Sequence, residues 1–147
     1  YNVPVALRVE GPLDARVLEL CLGELVRRHE TLRTVFAVQG GSPMQVILPP
    51  APFLLPVVDL SGLPEGRRAA LAHTLNGEEA GRPFDLARTP QLRAALLRLA
   101  AEEHVVELTL HHIVCDSWSI TILVREVMAL YRAFAEGRPS PLPEPPV

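Results

Sequence analysis

The stretch His104-Val105-Val106-Glu107-Leu108-Thr109-Leu110-His111-His112-Ile113-Val114-Cys115-Asp116-Ser117-Trp118-Ser119 decides how this chain is read. Its first half is strand-like, with Val106, Leu108 and Leu110 on one side. Its second half runs into an amphipathic helix. Two adjacent histidines stand where the strand ends, and an aspartate follows four residues after the second. Histidine is the side chain best suited to moving protons near neutral pH, and a strand-to-helix junction is a common place for chemistry.

Neighbours on a strand point to opposite faces, so His111 and His112 diverge unless the strand is already ending. Parity puts His112 on the apolar side, continuing Val106, Leu108 and Leu110, but does not choose the catalytic ring. One plausible division has one ring packing and hydrogen-bonding while the other faces a cavity. Asp116 has three readings: an N-cap in competition with Ser117 and Ser119, an ion pair with an arginine, or a carboxylate partner for histidine. The chain has no Gly-x-Ser-x-Gly elbow, which weakens the last. Diverging histidines with no other His/Cys cluster argue against a metal site.

Upstream, Leu92 to Leu99 is a second strand candidate, joined to the first by Ala100 to Glu103 as an antiparallel hairpin. Downstream, Ile120, Leu123, Val127, Leu130, Tyr131 and Phe134 form the apolar stripe of a helix that starts near Trp118 or Ser119 and ends before Gly137. At the other end of the chain, Val3 to Val9 alternates as a strand. Asp14 caps a helix over about residues 15 to 28, with Leu13 and Leu18 as a hydrophobic staple. Leu18, Cys21, Leu22, Leu25 and Val26 make its buried stripe. Thr31 to Val38 and Met44 to Leu48 read as a hairpin about Gly40-Gly41. Residues 49 to 64 hold five prolines and read as loop. A helix of weaker periodicity spans about Glu65 to Glu79. Strands and helices intermix, so the fold is α/β or α+β, with helices on a mostly antiparallel or mixed sheet.

A second constellation is Arg28-His29-Glu30-Thr31-Leu32-Arg33-Thr34-Val35-Phe36. Arg28 and Glu30 read as solvated charges at a helix end. Arg33 falls inside the expected strand and needs a partner there, for which Asp116 is a candidate.

Composition narrows the function classes. The 147 residues are 48% apolar and 21% charged, which suits one globular domain with a core. A net charge of −3 gives no reason to expect nucleic acid or an anionic membrane. No apolar run is long enough to span a membrane, and there is no secretory signal. The only cysteines, Cys21 and Cys115, do not form a disulfide framework, so a cytoplasmic setting is expected. The eleven residues from Gly137 to Val147 include five prolines and read as a linker after a domain of residues 1–136 that is cut at both ends.

The two constellations together resemble the condensation domains of nonribosomal peptide synthetases. Those carry a His-His-x-x-x-Asp-Gly motif, matched at His111, His112 and Asp116, and an Arg-His-Glu-x-Leu-Arg-Thr-x-Phe motif, matched at every fixed position from Arg28 to Phe36. Tyr1-Asn2-x-Pro4, Arg82-Pro83-Phe84-Asp85-Leu86 and the proline-rich end are similar too. The resemblance implies an α/β (α+β sandwich) fold, as a chloramphenicol acetyltransferase-like half-domain. The chain would be most of the N-terminal half, with the C-terminal half of the same domain as its missing partner and an adenylation domain in the same polypeptide.

The reaction implied is peptide-bond formation between a donor acyl thioester and an acceptor aminoacyl thioester, both on phosphopantetheine arms of carrier protein domains. No cofactor or metal is bound directly. The resemblance makes His112 catalytic, as a base or a positioning group, and His111 structural. Asp116 pairs with Arg33 and orders the loop, with Arg28 and Trp118 in the supporting frame. Trp118 before Ser119 matches condensation rather than epimerisation relatives. One departure is Ser117, where the motif has glycine; a positive φ there would cost roughly 1 kcal/mol. Alone, the fragment is expected to be inactive. The alternatives are a standalone coenzyme A-dependent acyltransferase and a non-catalytic carrier-docking module.

Overall fold

The computed structural model describes residues 2–88, 90–115 and 120–144. Among the described residues, six strands and four helices follow one another as β1 (Asn2–Glu10), α1 (Ala15–Arg28), β2 (Thr34–Gln39), β3 (Ser42–Ile47), β4 (Val57–Asp59), α2 (Glu65–Gly81), β5 (Leu92–Ala100), β6 (Glu103–His111), α3 (His112–Cys115) and α4 (Ile120–Ala135). A single 3₁₀ turn, Glu30–Arg33, links α1 to β2. The main sheet has the order β1-β6-β5-β4, and β2-β3 is a separate hairpin. β1 and β5 run antiparallel to β6, while β4 is parallel to β5. The sheet is mixed and mostly antiparallel, as expected.

Helix α1 forms where its pattern places it. The Asp14 carboxylate accepts from the N–H groups of Arg16 at 2.9 Å and Val17 at 3.3 Å, filling two of the donors a helix start leaves open. Its stripe of Leu18, Cys21, Leu22, Leu25 and Val26 is buried. Burial pushes the Cys21 thiol up to about 12, so it is an inert core residue. Helix α4 packs beside α1 through Leu123, Val127, Leu130 and Ala133. Both helices close the core over Val106, Leu108 and Leu110 of β6 and Leu92 and Leu96 of β5. Helix α2 lies on β1, β5 and β6 and contributes no buried residue. It serves the opposite face, where Glu107, Thr109 and His111 alternate with the core positions.

Four details depart from the sequence reading. The expected strand from Thr31 begins only at Thr34, because residues 30 to 33 wind as a 3₁₀ turn that the Thr34 hydroxyl closes by donating to Glu30 O at 2.7 Å. The proline-rich stretch contains β4, held by pairing rather than periodicity: Val57 faces Leu96, and Leu96 N–H donates to Pro56 O at 2.9 Å. Strand β6 stops at His111, one residue early, and His112 opens α3. The apolar side is continued instead by Val114, 3% exposed. Finally, Arg28 is buried, not solvated. It lies one turn beyond Leu25 on the stripe that α4 covers, so its stem packs inward.

Between Val38 and Met44, Gly40 and Gly41 have φ of +60° and +80°, the paired positive values a two-residue hairpin turn requires. Among the described residues, no helix is long and apolar enough to cross a membrane.

Candidate active site

The two histidines part company at the end of β6. His111 stays in register as the last strand residue, opposite Asn2. Its ring meets that of Phe84 in a T-shaped contact, with centroids 5.8 Å apart. Its Nδ1 accepts the N–H of Ile113 at 3.0 Å. An accepting Nδ1 carries no proton, so the ring holds its hydrogen on Nε2. Burial lowers the His111 pKa and so favours that neutral ring. His112 begins the one-turn α3 and is exposed. Val114 then anchors the turn in the core. One histidine is engaged and the other is presented.

A polar frame surrounds His111 on the α2 face. Arg93 rises from β5, opposite Thr109. Its guanidinium donates from Nη1 to Pro83 O at 3.0 Å and from Nη2 to Arg82 O at 2.7 Å and Glu79 O at 3.1 Å. Its Nε lies 2.6 Å from Glu79 Oε1. Its Cζ sits 4.1 Å above the centre of the Phe84 ring, a cation–π contact. Asn2 adds its amide, donating to Ala80 O at 3.0 Å and Arg82 O at 2.6 Å. Carbonyls at and just beyond the C-terminal end of α2 are thus collected by one guanidinium and one amide. Nearby, Glu107 is 3% exposed. Burial raises its carboxyl pKa, and the Glu79 charge adds to the effect.

The second constellation lies at the end of α1. The Arg33 guanidinium donates to Leu48 O at 2.8 Å and Arg27 O at 3.1 Å, tying the 3₁₀ turn to the end of the β2-β3 hairpin. Arg28 reaches Glu126 of α4 at 3.9 Å, and His29 Nε2 lies 2.6 Å from the other oxygen of that carboxylate. The buried Nε of Arg33, and Nε and Nη1 of Arg28, have no hydrogen-bond partner among the described residues. The stretch is stitched to the segment entering β5: Phe36 N–H donates to Leu86 O, and Gln91 N–H to Leu32 O, both at 2.8 Å.

Asp116, Ser117 and Trp118 lie outside the described residues, and with them the Arg33–Asp116 pair and the backbone angle at Ser117. Arg33 does stand apart from the strand that the sequence suggested, and its described partners are carbonyls. Sequence reading missed Arg93 as a frame residue. The argument applied to Arg33, that a charge inside a strand needs a partner, fits Arg93 between Leu92 and Ala94 equally well. Glu126, which is no part of the apolar stripe of α4, faces Arg28 and His29. Among the described residues, no three His, Cys, Asp or Glu side chains gather as a metal site.

Helices packed on both faces of a mostly antiparallel sheet, with a histidine presented at the end of its second strand in spatial order, define the acyltransferase-like architecture that the resemblance implied. Solved structures share it. The first condensation domain of the CDA synthetase superposes with a TM-score of 0.86 at 30% identity, over 97% of this chain and 36% of that one. The SgcC5 protein of Streptomyces globisporus gives 0.84 at 35% identity, over 99% and 33%. The condensation-domain family matches residues 1–146, and the chain belongs to it. That match runs on through the proline-rich end. There Glu144 pairs with Arg27 at 3.0 Å.

Among curated relatives, chondramide synthase cmdD of Chondromyces crocatus is 52% identical over 147 residues, all of this chain and 4% of that protein. Malpibaldin synthetase of Mortierella alpina is 44% identical over 144 residues, 97% of this chain and 2% of that protein. The chain therefore spans a few per cent of these synthetases and about a third of the solved domains.

Proposed function

We propose that this chain supplies the histidine-bearing half of a peptide-bond-forming site in a nonribosomal peptide synthetase. The amino nitrogen of an aminoacyl thioester attacks the carbonyl carbon of a donor acyl thioester. The new C–N bond forms, the C–S bond breaks, and the donor's thiol leaves. The attacking nitrogen gives up one proton, and the departing sulfur takes one. His112 receives the proton from nitrogen. A free amino group has a pKa of roughly 8 and an ordinary histidine one of about 6.5, so an imidazole is a fitting acceptor during attack near neutrality.

The observation that carries this reading is the division of the two rings. His111 is spent on Ile113 N–H and Phe84, while His112 is exposed at the strand's end. In this reading both substrates arrive on the phosphopantetheine arms of carrier domains. The rest of the domain closes the site, and an adenylation domain of the same polypeptide loads the carriers. Residues 1–136 act as the N-terminal part of the domain, and Asp116 pairs with Arg33 to order the loop.

The test uses the full-length protein with a loaded donor carrier and a loaded acceptor carrier. Mass spectrometry of the acceptor carrier should show the dipeptidyl thioester. Product formed only from a free coenzyme A thioester would favour the standalone acyltransferase. Carrier binding without product from either donor would favour a docking module.

A further inference from the structure

We infer that Arg93 and Phe84 are positioning residues for the condensation reaction, holding His111 and through it the turn that presents His112. This rests on the reading of His112 given above. The linkage is continuous. Glu79 and the carbonyls of Glu79, Arg82 and Pro83 fix the Arg93 guanidinium. The Cζ of the guanidinium sits over Phe84, 4.1 Å from its ring centre. Phe84 presents its ring at 90° to His111. His111 accepts the first N–H after His112.

Chemistry explains why an arginine and an aromatic ring are needed. The planar fork of arginine satisfies several carbonyls at once and can still stack on a ring face; a lysine is a point charge that cannot do both. The ring face attracts the cation, and perpendicular packing is a favoured arrangement of two aromatic rings. Phe84 thereby selects the orientation in which Nδ1 meets Ile113 N–H. None of these groups touches substrate. They act on rate through the placement of His112, and a misplacement of about 1 Å can cost on the order of 100-fold.

Phe84 is only half-buried and belongs to no part of the core between α1, α4 and the sheet, so its replacement spares the fold. The experiment measures condensation by the full-length protein on loaded carriers, for Phe84→Leu, Phe84→Tyr and Arg93→Lys, with His112→Ala as control. Phe84→Leu should lower kcat about 10- to 100-fold with KM for both carriers unchanged. Phe84→Tyr, which keeps the ring, should restore kcat. Arg93→Lys should behave as Phe84→Leu does. If Phe84→Leu fails to fold, Phe84→Met is read by the same criteria. An unchanged kcat, a loss expressed only in KM, or no rescue by Phe84→Tyr would overturn the inference. Turnover by His112→Ala would instead remove the reading on which it rests.

Discussion

The two faces of one strand behave as two different materials. Val106, Leu108 and Leu110 of β6 enter a dry core under α1 and α4. Glu107, Thr109 and His111, one position away each time, enter a polar layer under α2. The first face holds by area and shape. The second holds by directed contacts: a guanidinium on carbonyls, a cation over a ring, and that ring perpendicular to an imidazole. The lesson is that the candidate site is built where the polar face reaches the strand's end, so that the apolar face supplies rigidity and the polar face supplies orientation.

The largest effect on stability should come from breaking the apolar face. Leu108 is 1% exposed, and Leu108→Ala should cost about 2–5 kcal/mol, seen as a large drop in Tm. A loss below about 1 kcal/mol would mean that the core is looser than described. Next is Arg33→Ala, which leaves the Leu48 and Arg27 carbonyls without their charged donor and should cost roughly 1–3 kcal/mol. An unchanged melting temperature would show that these bonds contribute nothing.

The polar face should answer to pH as well as to substitution. The folded-state pKa of Glu107 lies above its unfolded value of 4.5. Between the two values the folded state binds more protons, so this group's contribution is complete below 4.5 and is lost as pH rises through the folded pKa. Glu107→Leu should therefore gain more Tm at neutral pH than below 4.5. Equal gains at both would deny that the buried carboxylate costs anything. His111, on the same face, has the opposite sign. Burial lowers its pKa below 6.5, so its contribution is present above 6.5 and is lost as pH falls. The smallest effect belongs to neither face: Arg8 and Glu103 pair at 2.7 Å on exposed side chains, and Arg8→Ala should move Tm by about 2 °C at most.

Much of the fold was legible because its signals are local. The Asp14 cap, the α1 stripe and the alternation of β1, β5 and β6 each follow from residues a few positions apart. What escaped the sequence depends on distant partners. β4 exists because β5 offers an edge, Arg28 is buried because α4 covers it, and Arg33 at the end of the 3₁₀ turn is tied to Leu48 at the hairpin end. The site shows the same split. Parity proposed that the histidines diverge, and they do, but it assumed an unbroken strand and so assigned His112 to the wrong side. Arg93 and Phe84 carry no motif that marks them as neighbours; only the fold brings the end of α2 against β5.

The most direct test of the account compares single-turnover condensation by His112→Ala and His111→Asn in the full-length protein. Asparagine can place an oxygen near the position of Nδ1 and still accept the Ile113 N–H. The account predicts that His112→Ala loses about 10²–10⁴-fold, while His111→Asn keeps most of its rate. Turnover by His112→Ala at the parent rate, or an equal loss in both variants, would contradict the division of roles between the two rings.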